Sequence, residues 1–247
     1  MRFDEVLQYS RDERILVEKF IEGDEVTFSG WVRDGRLYPL ALTDRVTFSE
    51  KDRIGICTAH EFPTKHFDSH ADEVLQLSER IVSAFGIQDG PVYIQYLLGV
   101  NQTVVNELAC RIGGAYEDIW MPVLTGCDWL RWMIESAMGV EPDFSALEGY
   151  DWKKIDHRLS AQLFFSEPGV VAGLSAAPTE VCLDQGFHFE VGDRIGGISN
   201  ATQRAGYFLV TAVDEAGLDR AVEEMFARIR IDLEGLDRNA VMVRPRR

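Results

Sequence analysis

Gln95 and Glu107 each lie six residues from Asn101. A hairpin centred on Asn101 sets the two side chains opposite one another on one face, with Cβ atoms about 5 Å apart. Val105 and Ala109 are expected on the face of Glu107, and Arg111 follows just past the strand. Oxygen donors on neighbouring strands beside an arginine suit a Mg²⁺ ion bridging nucleotide phosphates. The same pair also fits an ordinary solvent-facing sheet surface, since Gln and Glu are mostly exposed. His60, His66 and His70, with Glu61 and Asp68 among them, suggest a metal by type. Pro63 within the segment, and no ligand motif, point instead to a loop with solvated histidines. Cys57, Cys110, Cys127 and Cys182 form no C-x-x-C pair and read as reduced core thiols. No Ser/His/Asp or Cys/His arrangement suggests a covalent nucleophile.

Ile15–Phe20 is a short strand candidate, and residues 25–43 read as an antiparallel hairpin. Asp34-Gly35 forms its turn, because positive φ is cheap for Gly. Residues 44–68 lack a clean period and read as a loop with one short strand. A helix is expected from an N-cap at Ser69 to a stop at Gly86, with Ala71, Val74, Leu75, Ile81, Val82 and Phe85 as its apolar stripe. Residues 92–98 and 103–109 are strands joined by a turn through Gly99–Gln102. Trp129–Met138 is a helix with Leu130, Met133, Ile134 and Ala137 on one face. Residues 139–153 mark a boundary. Strands follow at 158–165, 170–174, 186–191 and 207–213, and a last helix carries Leu218, Ala221, Val222, Met225, Phe226 and Ile229.

Val104-Val105-Asn106-Glu107-Leu108-Ala109-Cys110-Arg111-Ile112-Gly113-Gly114 resembles the Glu-x-Asn-x-Arg-x-x-Gly segment of ATP-grasp enzymes. The resemblance implies that Glu107 binds Mg²⁺ and that Arg111 stabilises the reacting phosphoryl or acyl group. Gln95 resembles the family's upstream metal ligand. Ala109 stands where the family commonly has Asn, a departure that leaves the number of metal ions open. Val17-Glu18-Lys19-Phe20-Ile21-Glu22-Gly23-Asp24-Glu25 looks like the family's adenine hinge. By that resemblance Glu18 and the backbone of Lys19 and Ile21 meet the adenine edge, Phe20 lines the pocket, and Glu25 reaches the ribose hydroxyls. The Glu107–Arg111 segment lies about 80 residues later, in the family's order. Phe164–Val171, Val191-Gly192-Asp193 and Arg204-Ala205-Gly206-Tyr207 resemble the accessory subdomain of carbamoyl-phosphate-synthetase-like members.

The fold class implied is α+β. Residues 1–25 are a remnant of the nucleotide-clamping lobe with the hinge, 26–140 the catalytic subdomain with antiparallel sheet and flanking helices, and 141–247 a small α+β accessory subdomain. The activity implied is ATP-dependent ligation of a small-molecule carboxylate to an amine, with ATP and Mg²⁺ as cofactors. The hinge lies within the first two dozen residues, so the N-terminal domain and the first half of the nucleotide clamp are expected to be missing. That leaves room for a companion N-terminal chain or a homo-oligomer. The alternative is a non-catalytic fragment that binds or supports assembly, which Ala109 and the missing lobe favour.

The composition, 46% hydrophobic and 27% charged over 247 residues, is that of a globular protein. A net charge of -16 argues against nucleic-acid or membrane-surface partners. A few local cations and backbone amides still suffice for a small anion. No run is long and apolar enough to span a bilayer, and the polar N-terminus is no signal peptide, so a cytoplasmic protein is expected.

Overall fold

Two consecutive residues at positive φ, Asp34 at 50° and Gly35 at 75°, turn the chain back on itself. Such a turn matches the twist of paired strands. It joins β1 (Gly23–Arg33) to β2 (Arg36–Thr47), as the sequence predicts. The computed structural model describes residues 3–48, 53 and 55–242. A short helix, α1 (Phe3–Leu7), comes first. Ile15–Phe20 is not the expected strand, because residues 14–22 find no neighbour to complete a ladder. Leu16, Val17 and Phe20 are instead more than 70% exposed.

β3 (Cys57–Phe62) is the one short strand expected within residues 44–68, of which 49–52 and 54 lie outside the described residues. Helix α2 (Phe67–Phe85) ends at Gly86 as expected but begins before Ser69, with His66 at its N-cap. Asp44 organises that start. It accepts Thr64 Oγ1 at 2.5 Å and the Lys65 amide at 3.0 Å, while the His66 amide donates to Thr64 Oγ1. Ser69 Oγ instead bonds the His66 carbonyl and His70 Nδ1.

β4 (Gly90–Gly99) and β5 (Gln102–Ala109) form the second hairpin. After α3 (Glu117–Thr125), α4 (Trp129–Ala137) and α5 (Ser145–Gly149), β6 (Arg158–Ser166) returns to the sheet beside β3. β7 (Gly169–Ala176), β8 (Cys182–Phe187), β9 (Arg194–Ile195) and β10 (Gly206–Ala212) follow. The strand expected at 186–191 thus lies earlier, since Gly192 at positive φ and the bond from the Glu190 amide to Asp193 curl that stretch into a turn. Helix α6 (Glu215–Arg228) stops one residue before Ile229, which opens β11 (Ile229–Leu233), and β12 (Val241–Met242) pairs with β6.

The main sheet runs β5-β4-β1-β2-β3-β6-β10-β8, and a smaller one runs β11-β7-β9, with every pair antiparallel. The fold is α+β, as the sequence implies, and the sheet continues across residues 139–153. Val26, Phe28, Val92, Ile94 and Tyr96 bury one face under α2. The opposite face carries Trp31, Ala41 and Ala161 under α3 and α4. Helix α4 turns Trp129 and Trp132 inward, whereas Leu130 and Ile134, expected on its buried face, are 40% and 53% exposed. Trp132 packs edge-on against Trp31 and tilted against Phe144, and both indoles take the buried side. Phe208, Val210, Leu218, Val222 and Phe226 join α6 to β10 in a further core.

Candidate functional site

Gln95 and Glu107 are directly paired, as the sequence predicts, but a bulge brings them together. From the turn outward the register runs Gly99 to Gln102 and Tyr96 to Val105, then skips Asn106 and resumes at Gln95 to Glu107. The extra residue corrects a hairpin centred half a residue short of Asn101. It also corrects one expectation: Val105 lies opposite Tyr96, not on the face of Glu107 and Ala109. The bulge puts the Asn106 amide within 3.4 Å of Gln95 Oε1. Gln95 is buried, Glu107 half-exposed, and Arg111 lies 3.8 Å from Glu107. Bulges re-aim side chains in this way beside functional sites.

Beneath them the face becomes polar and enclosed. Gln95 Nε2 donates to the Tyr93 hydroxyl at 3.4 Å, and the Arg111 guanidinium sits 4.9 Å over the Tyr93 ring. Glu117, fully buried at the start of α3, accepts Ser29 Oγ at 2.9 Å and the Gly113 amide at 3.0 Å. Burial raises its carboxyl to about 7 against those two bonds and the pull of Arg111. A Cβ at position 113 would come within 2.5 Å of the Glu117 carboxyl and 2.6 Å of the Tyr93 ring, so the loop after Arg111 needs glycine there. Sequence reading missed Glu117, which lies six residues beyond Arg111 on what reads as an unremarked helix start.

Towards β3 lies Arg45, which bonds Glu25 and the Gly55 carbonyl. His60 is buried, not solvated as expected. Its Nδ1 meets Thr43 Oγ1 at 3.1 Å, and burial with the fields of Arg45 and Arg204 lowers it to about 3. His66 pairs with Asp24 and His70 with Ser69, so the three histidines serve three different partners. Cys57 and Cys127 are buried, but Cys110 is exposed, contrary to the core reading; all four thiols are free. Among the described residues no three His, Cys, Asp or Glu side chains cluster as a metal site. One carboxylate and two amides fit a hard cation that takes its remaining oxygens from phosphate and water.

The segment expected to form the hinge reaches β1 without regular secondary structure. Glu18, Lys19 and Phe20 are exposed, and Ile21 rests against Gly99 at the tip of β4. Glu25 is half-buried on the Arg45 side of β1. No helix among the described residues is long and apolar enough to cross a membrane.

Comparison with known proteins gives two family matches in sequence order. Residues 3–117 match an ATP-grasp domain and residues 162–234 an L-amino acid ligase C-terminal domain 2. No curated protein sequence matches significantly. Among solved structures, phosphoribosylglycinamide synthetase from Anaerococcus prevotii superposes with a TM-score of 0.77 at 17% identity, over 94% of this chain and 58% of its own. L-amino acid ligase from Bacillus licheniformis gives 0.71 at 16%, over 87% and 55%. A biotin carboxylase–beta-gamma-ATP complex from Campylobacter jejuni gives 0.66 at 16%, over 87% and 48%. The chain therefore spans about half the length of these structures, and at such identities they share its fold. Residues 3–117 are thus similar to an ATP-grasp domain and residues 162–234 to an L-amino acid ligase C-terminal domain 2, in that order along one chain.

Proposed function

We propose that this chain carries the metal-binding and acyl-transfer half of an ATP-dependent carboxylate–amine ligase. The observation that supports it best is the register of β4 on β5, which sets Gln95 against Glu107 with Arg111 beside them. A substrate carboxylate would attack the γ-phosphate, and the amine would then displace phosphate from the acyl phosphate. Mg²⁺ on Gln95 and Glu107 would neutralise phosphate oxygens during transfer. Arg111, held over Tyr93, would face the charge that develops on the acyl phosphate or the tetrahedral species after it.

ATP would lie between this face and the hinge. Glu18 and the backbone of Lys19 and Ile21 would meet the adenine edge, where a fixed main chain offers both donor and acceptor. Phe20, exposed here, would cover the ring. Glu25 would reach the ribose while still accepting Arg45, because a carboxylate has about four lone-pair sites. Titration calorimetry with ATP and Mg²⁺ tests the reading: wild type is expected to bind, and Glu107→Ala to weaken binding at least tenfold. Indistinguishable isotherms for the two would overturn it.

A further inference from the structure

Trp31 is 1% exposed, yet its Nε1–H has no hydrogen-bond partner among the described residues. An indole nitrogen can only donate, and leaving a buried donor unmade is costly. Trp120 and Trp129, also buried, donate to the carbonyls of Ala115 at 3.0 Å and Glu117 at 3.3 Å. Trp31 instead lines a cavity of about 630 Å³, a size usual for small-molecule sites. The strands account for the space. Trp31 stands opposite Pro91 of β4, and Ser29 opposite Tyr93. β5 ends at Ala109, paired with Tyr93, so it leaves the start of β4 uncovered. The cavity lies along that start, at Asp89, Gly90 and Pro91, beside the last turns of α4 and the loop after it. Pro91 and Gln95 share a face of β4 but lie four residues apart, roughly 13 Å along the strand. Ser29, bonded to the buried Glu117, stands between them.

The walls set the chemistry of what can enter. Trp132 packs edge-on against Trp31 at 5.3 Å, and Phe144 lies tilted against it at 5.8 Å. Phe144, Met133 and the half-exposed Val140 give the cavity an apolar lining suited to a ring. Its charged lining is acidic, with Asp34, Asp89 and Glu141 against the single cation Arg33. Arg33 is already in use: its guanidinium sits 4.6 Å over the Phe144 ring. It also lies 4.0, 3.5 and 3.4 Å from the carboxylates of Asp34, Glu141 and Glu148. An anion entering here would meet carboxylates with no free cation to offset them. An uncharged aromatic molecule would not, and an oxygen acceptor on it would complete the Trp31 donor.

We propose that the cavity beside Trp31 binds a neutral aromatic compound whose oxygen accepts the Trp31 Nε1–H. The site rests on Trp31 and its walls and is independent of the function proposed above. The test is NMR of the full chain with tryptophan labelled at Nε1, titrated with acetophenone, ethylbenzene and sodium benzoate at constant ionic strength. Trp31→Phe identifies the Trp31 signal among those of the five tryptophans. Acetophenone is expected to move that signal saturably to lower field. Ethylbenzene, which keeps the ring but lacks the acceptor, should bind about fivefold more weakly, the usual worth of one hydrogen bond. Benzoate, repelled by the acidic lining, should bind more weakly than acetophenone. In Trp31→Phe, followed by saturation transfer to the ligand, acetophenone and ethylbenzene should bind alike. Val140→Trp places a larger side chain at a half-exposed wall, and should abolish the response while the amide spectrum stays folded. No saturable movement with acetophenone up to its solubility limit, or an undiminished response in Val140→Trp, overturns the site. Equal affinity of wild type for acetophenone and ethylbenzene overturns the role of Nε1. Benzoate binding as tightly as acetophenone overturns the restriction to neutral ligands. The three titrations of wild type decide these points even where Trp31→Phe does not fold.

Discussion

Glu117 shows how one residue fixes the position of the loop after Arg111. Its two oxygens tie the Gly113 amide to Ser29 of β1, so the turn after Arg111 is fastened to the sheet rather than to solvent. The carboxyl is raised from 4.5 to about 7 chiefly by burial, so the folded protein holds a proton that the unfolded chain releases at lower pH. The stabilising effect of that proton is complete below about pH 4.5 and is lost as pH rises through 7. A shift of this size corresponds to roughly 3 kcal/mol. Thermal melts from pH 5 to 8 should therefore show wild type losing stability. Glu117→Gln, which mimics the protonated form, should have a flatter profile and melt above wild type at pH 8. Parallel profiles for the two proteins would show that Glu117 does not titrate in this range. Gly113→Ala drives a methyl into the same carboxyl and the Tyr93 ring, and is expected to cost about 1–3 kcal/mol by overpacking. Chemical denaturation of Gly113→Ala against wild type measures that cost.

At the scale of elements, β4 can hold polar side chains such as Tyr93 and Gln95 in a fixed place on one face because its other face is anchored. Tyr96, fully buried under α2, shares a 2.7 Å hydrogen bond with Ser78, which also donates to the Val74 carbonyl at 2.8 Å. The two single deletions are unequal. Tyr96→Phe leaves Ser78 with Val74, whereas Ser78→Ala leaves a buried phenol without a partner, a loss of about 1–3 kcal/mol against about 1 for a simple bond. Denaturant melts should thus rank Ser78→Ala as the more destabilised, although it removes the smaller polar group from a helix. The alternation of Val92, Ile94 and Tyr96 with Tyr93 and Gln95 made this strand legible in sequence, as did Asp34-Gly35 for the first hairpin. The bulge was not legible. Symmetry about Asn101 named the right pair, but nothing in Val104-Val105-Asn106 marks the residue left out of register, so the Asn106 contact with Gln95 went unseen. Helix α4 misled for a related reason: its residues are apolar on both sides, and the size of Trp129 and Trp132, not periodicity, decides which side is buried. Glu117 joins the candidate site through contacts with Ser29 and Gly113, and the first of these spans a distance in sequence that local spacing does not encode.

For the molecule as a whole, the net charge of -16 and the cationic site face act in opposition. Carboxylates spread over the surface repel one another and weaken the compact state. Burial, with the fields of Arg45 and Arg204 added to it, holds His60 neutral. Screening and specific binding can then be told apart by salt. Raising sodium chloride from about 10 to 150 mM shortens the Debye length from about 30 to 8 Å, and should raise the melting temperature of wild type and Glu107→Ala alike. Magnesium chloride at matched ionic strength should add a further increase in wild type only, because a ligand that binds the native state stabilises it by mass action. Adding ATP with magnesium should widen that difference, since phosphate oxygens complete the coordination that one carboxylate and its neighbouring amides leave open. An equal magnesium response in Glu107→Ala would assign the ion to the diffuse acidic surface instead of to the β4–β5 pair. The comparison thus asks whether the site is set by the register of two strands or by the charge of the whole chain.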